Sequence, residues 1–156
     1  MANYITKEGM NRLQKRIQKL IEMRKEIIKQ VVKAREMGDL SENAEYKAAR
    51  EEQRNIENEF NHLKNRVSIL QVLDISQIPK DAVRFGAKVT LLNLDSNDIN
   101  KVQLVGVDEV FETESEYDRR SVASPIGKHM IGKKKNSTFK VKVPIGIKNY
   151  KILEIE

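Results

Sequence analysis

The most chemically suggestive stretch of this sequence is an acidic segment between residues 36 and 46. It contains four carboxylates, Glu36, Asp39, Glu42 and Glu45, and no lysine or arginine. The chain as a whole is basic, with 29 Lys and Arg against 23 Asp and Glu. Mg²⁺ prefers oxygen ligands and commonly binds through one or two carboxylates while it keeps several waters. The segment therefore predicts an open, carboxylate-based magnesium site that another macromolecule completes.

A structural role for two of these acids is also open. Asp39 and Glu42 are three positions apart at an expected helix start, which is close to the spacing of a capping box. Acids in a first helical turn also interact favourably with the helix dipole, by about 0.3–1 kcal/mol each. Capping and metal binding do not exclude each other, so Asp39 can serve in both.

The segments on either side of the acidic segment have the spacing of α-helices that pack along one seam. The first series of seam positions is Met10, Leu13, Ile17, Leu20, Arg24, Ile27, Val31 and Ala34, and the second is Tyr46, Ala49, Gln53, Ile56, Phe60, Leu63, Val67 and Leu70. Gly38 lies between the two series as a helix stop, and Thr6 is expected to cap the first helix. Because a short connection makes two long helices antiparallel, residues 1–75 are predicted to form a coiled-coil hairpin with residues 36–46 at its tip.

After residue 75 the pattern changes to that of β-strands. Ile78–Asp81 is typical of a linker because Pro79 blocks a helix. Strand-like runs follow at residues 87–92, 101–107, 139–143 and within 150–155, with a turn at 95–98. Ser124 and Pro125 offer an N-cap and a first helical position for a short helix that Gly132 closes. Residues 80–156 are therefore predicted to form a small α+β domain in which one helix lies on antiparallel strands.

Composition excludes several classes of protein. The chain has no cysteine, which excludes a disulfide framework, a thiolate zinc site and a cysteine nucleophile. His62 and His129 are the only histidines, and their separation argues against a histidine metal site. No apolar run approaches the roughly 18 residues that span a bilayer, and the N-terminus lacks the features of a signal peptide. We therefore expect a soluble, cytoplasmic protein with no membrane partner.

Three stretches of the sequence resemble the Gre family of bacterial transcript cleavage factors. The longest is the run from Ala34 to Glu51, which contains Gly38-Asp39-Leu40-Ser41-Glu42-Asn43. Ser124–Lys133 looks like the C-terminal motif of the family, and Thr6–Leu13 fits its opening helix. The resemblance covers essentially the whole chain in the same order and length. It implies an α+β protein with an N-terminal coiled-coil hairpin followed by an FKBP-like domain.

The resemblance implies a function in transcription elongation. Members of the family insert the hairpin into the secondary channel of bacterial RNA polymerase, while the FKBP-like domain docks on the rim. When the polymerase has backtracked and extruded the 3′ end of the nascent RNA, its own active site cleaves that RNA with a second Mg²⁺ ion that the factor shares but does not hold alone. The resemblance thus implies a stimulating factor rather than an enzyme. Such a factor is expected to be monomeric and to have no small-molecule substrate.

The resemblance also assigns roles to individual residues of the hairpin. Asp39 and Glu42 correspond to the acids that help bind the shared Mg²⁺ ion and activate water. Glu45 lies one turn from Glu42 and is a weaker, supporting candidate. Arg35 and Arg50 correspond to the basic positions that contact extruded RNA. An ordinary solvated helix face is the alternative explanation of both arginines, because a phosphate contact needs only a mobile cation.

In the second domain, Ser124, Pro125 and Ile126 correspond to part of the polymerase-docking surface. The alternative interpretation of the same three residues is an N-cap, a structural proline and a core isoleucine. Lys133-Lys134-Lys135 departs from the family, in which acidic residues commonly follow the Gly-Lys pair. This run is expected to be a solvated loop.

Three other functions fit parts of the sequence. An inhibitor of the same shape would block the polymerase channel without promoting cleavage, but a plug needs bulk rather than the two acids Asp39 and Glu42. A free-standing nucleic-acid-binding module would need concentrated positive charge, whereas Lys and Arg exceed Asp and Glu by only 15 to 12 in residues 1–75 and 14 to 11 in residues 76–156. Prolyl isomerase activity would need an aromatic pocket, and residues 76–156 contain only 5 aromatic residues and no Trp.

Overall fold

The structure is a computed structural model that describes residues 3–38, 43–110 and 115–156. The contacts between residues divide the chain into two compact units. We call Met10–Ile69 the helical unit, and Met1–Gly9 together with Leu70–Glu156 the sheet unit.

Two long helices form the helical unit. Helix α1 spans Lys7–Arg35 and helix α2 spans Ala44–Ile69. Every predicted seam position of both series is buried or half-buried. All of them except Leu70, which follows α2, lie in the helices, where the alternating spacing of three and four keeps them on one face. The centre of the seam is an apolar cluster formed by Leu20, Ile27, Val31, Ala49 and Ile56. The prediction of two helices packed along these seams is confirmed.

Ion pairs between α1 and α2 lie beside the apolar seam. Their partners follow each other in opposite order along the two helices, as expected for an antiparallel pair. The Nε and Nη2 atoms of Arg16 donate to the two carboxylate oxygens of Glu59 at 2.7 and 2.9 Å. The Nη2 atom of Arg24 donates to Glu57 at 3.0 Å, and its guanidinium lies 4.1 Å from the centre of the Phe60 ring. The polar seam position 24 is therefore accommodated by an acid and an aromatic ring on the opposite helix.

The segment directly before α1 belongs to a short two-stranded sheet. Strand β1, Tyr4–Thr6, pairs in parallel with strand β2, Gln71–Leu73, so that α2 ends at Ile69, one residue before the last predicted seam position. This pair is not predicted by the apolar pattern of the sequence. As predicted, Thr6 caps α1, since its Oγ1 atom accepts the backbone N–H of Gly9 at 3.1 Å.

The sheet unit contains a five-stranded sheet. Its strands are β3, Lys88–Asn93; β4, Ile99–Val105; β5, Asp118–Ser121; β6, Thr138–Val143; and β7, Gly146–Ile155. Their order across the sheet is β5-β4-β3-β7-β6. The pairs β3–β4, β3–β7 and β6–β7 are antiparallel, as predicted. The pair β4–β5 is parallel, so the prediction of purely antiparallel strands is wrong at this edge. Strand β5 escaped prediction because its sequence, Asp-Arg-Arg-Ser, lacks the β-branched and aromatic residues that mark strands.

One helix packs against this sheet. Helix α3 spans Pro125–Met130, and the fully buried Met130 joins the sheet core. The buried core of the sheet unit consists of Val83, Phe85, Val89, Leu91, Val102, Leu104, Val122, Met130, Phe139, Val141, Tyr150 and Ile152. A 3-10 helix at Ile75–Gln77 precedes the predicted linker. The backbone of Gly132 has φ +83°, which suits the predicted helix stop.

The predicted fold class, an α-helical hairpin followed by a small α+β domain, is confirmed. Within the described ranges, none of the helices is both long enough and apolar enough to cross a membrane.

Candidate functional site

The connection between α1 and α2 carries the acidic segment, and its first residues are described. After Arg35 the backbone continues in a turn, with the N–H of Glu36 donated to the Val32 carbonyl and that of Met37 to the Ala34 carbonyl, both at 3.2 Å. Gly38 follows with φ +147°. That conformation favours glycine, which explains why glycine stands at the stop that the sequence indicated.

Helix α2 is capped by Asn43. The Oδ1 atom of Asn43 accepts the backbone N–H of Tyr46 at 3.0 Å, and the Asn43 carbonyl accepts the N–H of Lys47 at 3.1 Å. This is the geometry of an N-cap. The cap position of α2 therefore belongs to residue 43 and its partner position to residue 46. The capping box suggested for Asp39 and Glu42 falls on residues outside the described ranges.

The two acids assigned to the shared Mg²⁺ ion, Asp39 and Glu42, lie outside the described residues. Glu36 and Glu45 lie within the described ranges, and both side chains are exposed. Among the residues described, no group of three or more acidic, histidine or cysteine side chains is arranged to hold a metal ion. The magnesium site therefore remains a prediction that depends on residues 39 and 42.

The two predicted RNA-contacting arginines are both exposed on the helical unit. The guanidinium of Arg35 lies 6.0 Å from the centre of the Tyr46 ring, at the limit of a cation–π contact. The Nη1 atom of Arg50 donates to the Oε1 atom of Gln53 at 2.7 Å. Both cations are thus available to a polyanion, and both are also compatible with the solvated helix face that the sequence left open.

The three predicted docking residues take the structural positions that the sequence also allowed. Ser124 is the N-cap of α3: its Oγ atom accepts the N–H of Gly127 at 3.1 Å and donates to the Ser121 carbonyl at 2.6 Å. Ile126 is half-buried against the sheet core, whereas Pro125 is exposed. Of the three, only the proline is therefore exposed to a partner.

The basic run Lys133-Lys134-Lys135 lies mostly at the surface. Lys134 and Lys135 are exposed, as expected for a solvated loop, while Lys133 is half-buried. Its carbonyl accepts the backbone N–H of Val83 at 2.8 Å, so this residue also helps to hold the loop. His62 and His129 are both exposed.

Sequence reasoning missed two residues that organise the described structure, Asn43 and Glu109. Asn43 carried a usable signal, since asparagine is among the preferred N-cap residues and the periodic helix begins directly after it. The buried Glu109 carried none, because it lies in an acidic stretch that is typical of a solvated loop.

Comparison with known proteins covers nearly the whole chain. A family model described as "Transcription elongation factor, N-terminal" matches residues 3–72, and another described as "Transcription elongation factor, GreA/GreB, C-term" matches residues 78–156. The chain is 43% identical over 149 residues to the transcription elongation factor GreA of Rhodospirillum rubrum, which covers 95% of this chain and 93% of that protein. It is 40% identical over 153 residues to GreA of Neorickettsia sennetsu, covering 97% of this chain and 94% of that protein.

A solved structure is also similar, at a lower sequence identity. The GreA factor homolog 1 (Gfh1) protein of Thermus thermophilus is 23% identical, with a TM-score of 0.46 over 100% of this chain and 99% of that one. The family assignment does not depend on this weaker likeness. With both halves matched by its models and relatives at 40% identity or more, the chain belongs to the GreA/GreB family of transcription elongation factors.

Proposed function

We propose that this protein enters the secondary channel of bacterial RNA polymerase with its helical hairpin and stimulates cleavage of backtracked nascent RNA by the polymerase active site. The observation that carries the proposal is the coincidence of family membership with an intact Gly-Asp-Leu-x-Glu-Asn segment between the two arms. In this role the protein supplies side chains to another enzyme's active site and has no substrate of its own.

Asp39 and Glu42 are the residues that we propose present carboxylates to that active site. Their donor chemistry fits Mg²⁺, since the ion takes hard oxygen ligands and accepts a site completed by a second macromolecule. When bound, Mg²⁺ lowers the pKa of a water ligand and so supplies a nucleophile for hydrolysis. Asn43 supports this assignment, because it occupies the cap position of α2, so that position does not call for either acid.

Arg35 and Arg50 are proposed to contact the extruded RNA. The support is their exposure on the same helical unit as the acidic segment. The sheet unit is proposed to dock on the rim of the channel, with Pro125 as the exposed member of the predicted docking residues.

The proposal is tested with a stalled, backtracked elongation complex that carries end-labelled RNA. We expect the wild-type protein to shorten the RNA from its 3′ end in the presence of Mg²⁺. Asp39→Asn and Glu42→Gln should each reduce the stimulation by about tenfold or more, since even outer-shell partners of a metal site are worth 10–100-fold. Glu36→Gln is the matched control, because it removes an exposed acid of the same segment that is not one of the two proposed ligands.

Competition separates docking from chemistry. The two inactive variants should still displace the wild-type protein from the polymerase and so inhibit its cleavage. If the variants cleave as well as the wild type, the two acids do not act in the reaction. If the wild type binds and blocks the channel without cleavage, the protein is the inhibitor that the sequence left as the alternative.

A further inference from the structure

The side chain of Asn43 joins the two helices on either side of the acidic segment. Its Nδ2 group donates to the carbonyl of Ala34 at 2.7 Å, and its Oδ1 atom accepts the N–H of Tyr46 at 3.0 Å. Chemistry fixes this orientation of the amide, because a backbone carbonyl must meet the NH₂ group and a backbone N–H must meet the oxygen. Both polar ends of the side chain are therefore in use.

Each of these hydrogen bonds is made to a terminal group of a different helix. Ala34 contributes one of the last four carbonyls of α1, and Tyr46 contributes one of the first four N–H groups of α2, which lack partners inside their own helices. The Ala34 carbonyl also accepts the N–H of Met37 at 3.2 Å, so Asn43 provides its second hydrogen bond. The bond from Asn43 to Ala34 spans nine positions along the chain. A cap that served α2 alone would not make this second contact.

The residue type at position 43 matches the double role. Asp, Ser and Thr are N-caps comparable to Asn, so capping alone does not require an amide. Asp, however, has no donor, and in Ser or Thr a single oxygen would have to serve both groups, whereas Asn places an acceptor for the Tyr46 N–H and an NH₂ donor for the Ala34 carbonyl on separate atoms. The amide therefore suits the link between the two helices as well as the cap.

We propose that Asn43 is a positioning residue for RNA cleavage. By linking residue 43 to residue 34, it holds together the two helix ends between which Asp39 and Glu42 lie in the sequence. Catalytic groups must be held within about 0.5 Å of their productive geometry, and an error of 1 Å can cost 100-fold in rate. The proposal rests on the proposed function, since it concerns the rate at which the same two acids act.

Asn43→Asp separates the link from the cap. The carboxylate still accepts the Tyr46 N–H, and a negative charge suits a helix N-terminus, so α2 should remain capped. The variant loses the donor to the Ala34 carbonyl and sets an oxygen against an oxygen. Asn43→Ala removes both contacts. Asn55→Asp is the matched control, because it makes the same change at an exposed position of α2.

The first measurement is cleavage by the backtracked complex as a function of factor concentration. We expect Asn43→Asp and Asn43→Ala to lower the maximal cleavage rate by about 10–100-fold. The concentration for half-maximal stimulation should change little, since the docking surfaces are untouched. A loss of folding would instead raise that concentration, so the two effects are distinguished. Asn55→Asp should behave like the wild type.

The second measurement reports the link directly. The chain has no cysteine, so spin labels attached through Lys33→Cys and Lys47→Cys would be the only ones, and both lysines are exposed. The distribution of distances between the labels should broaden in Asn43→Asp and stay narrow in Asn55→Asp. An unchanged distribution in Asn43→Asp would overturn the link even if the rate falls.

The outcomes also separate this inference from the proposed function. If the wild-type protein fails to stimulate cleavage, the proposed function is wrong and the positioning role is lost with it. If the wild type stimulates cleavage and Asn43→Asp does so at the same maximal rate, the proposed function stands and Asn43 is only a cap.

Discussion

The hydroxyl of Thr6 donates a hydrogen bond to the buried carboxylate of Glu109, which lies 103 positions further along the chain. The other oxygen of this carboxylate accepts the backbone N–H of Thr6 at 3.2 Å and that of Gly106 at 2.9 Å. The same Thr6 hydroxyl accepts the N–H of Gly9 and so caps α1. Glu109, only 2% exposed, therefore connects the first turn of α1 to the segment that follows β4 within the sheet unit.

Removal of the Glu109 carboxylate is predicted to destabilise the sheet unit. Glu109→Ala leaves two buried N–H groups and one hydroxyl without their acceptor, and each unsatisfied group costs about 1–3 kcal/mol. We expect a loss of about 3 kcal/mol or more in the free energy of unfolding, measured by urea titration. Glu109→Gln keeps one oxygen for the two N–H groups and should lose about 1 kcal/mol. Equal losses in the two variants would contradict this account.

The Gly9→Ala substitution tests the contact with Glu109, because we expect it to lower stability where helix propensity alone would raise it. In an open helix, Gly→Ala stabilises by about 1 kcal/mol. A Cβ atom at position 9 would, however, overlap the Glu109 carboxyl and lie 2.6 Å from its Cγ atom. Gly9→Ala should therefore destabilise the wild type and be tolerated better in the Glu109→Ala background. Additive effects of the two changes would show that the overlap is relieved without cost.

The features that the sequence predicted well are those whose signal is periodic and local. The seam of the hairpin and the antiparallel strands follow from apolar spacing within one element, and Ser124 and Thr6 precede their helices directly. Asn43 was missed because the capping-box spacing of Asp39 and Glu42 predicted that the second helix starts earlier in the sequence. Glu109 could not be found, since its partners at residues 6 and 9 are 100 positions or more away in sequence and only the fold brings them together.

The ion pair between Arg16 and Glu59 predicts a dependence of hairpin stability on pH. The hydrogen bonds from the Arg16 guanidinium lower the pKa of Glu59 below its ordinary value of 4.5. A carboxyl whose pKa is lower in the folded state stabilises above its unfolded pKa, and that stability is lost as the pH falls through the folded value. The two side chains are 39% and 41% exposed, so solvent screening limits the contribution to about 0.5–1 kcal/mol.

The measurement is urea unfolding of the wild type and Glu59→Gln, monitored by the circular dichroism signal of the helices. The wild type should be more stable at pH 7, and the difference should shrink only below pH 4.5, where Glu59 takes up its proton. High salt at pH 7 should reduce it as well. Glu51→Gln, at an exposed position of the same helix, should show no comparable effect. A difference that persists unchanged at pH 2 would exclude the ion pair as its cause.

Ser124 and Pro125 are predicted to respond differently to substitution. Ser124→Ala removes the N-cap of α3 and should lower the free energy of unfolding by about 1 kcal/mol. Pro125 is exposed at the first helical position, so Pro125→Ala should change stability by less than about 1 kcal/mol. If the sheet unit docks through this surface, Pro125→Ala should weaken competition for RNA polymerase several-fold. Unchanged competition would remove Pro125 from the docking surface.

Arg35 and Arg50 are predicted to act through charge alone. Both are exposed, and within the described residues Arg35 contacts Tyr46 and Arg50 contacts Gln53, both of which are neutral side chains. If they bind the phosphates of extruded RNA, Arg35→Gln and Arg50→Gln should raise the factor concentration needed for half-maximal cleavage. Each should also reduce the slope of log affinity against log salt by about 0.7, the value for one contact to a single strand.

Arg54→Gln is the control for this last prediction, because it removes the same charge at an exposed position one turn further along α2. General attraction between a basic protein and a nucleic-acid complex acts over about 10 Å at 0.1 M salt and would make all three variants similar. A direct phosphate contact depends on position, so Arg54→Gln should keep the wild-type salt slope while Arg35→Gln and Arg50→Gln do not. Equal slopes in the three variants would assign both arginines to the solvated helix face instead.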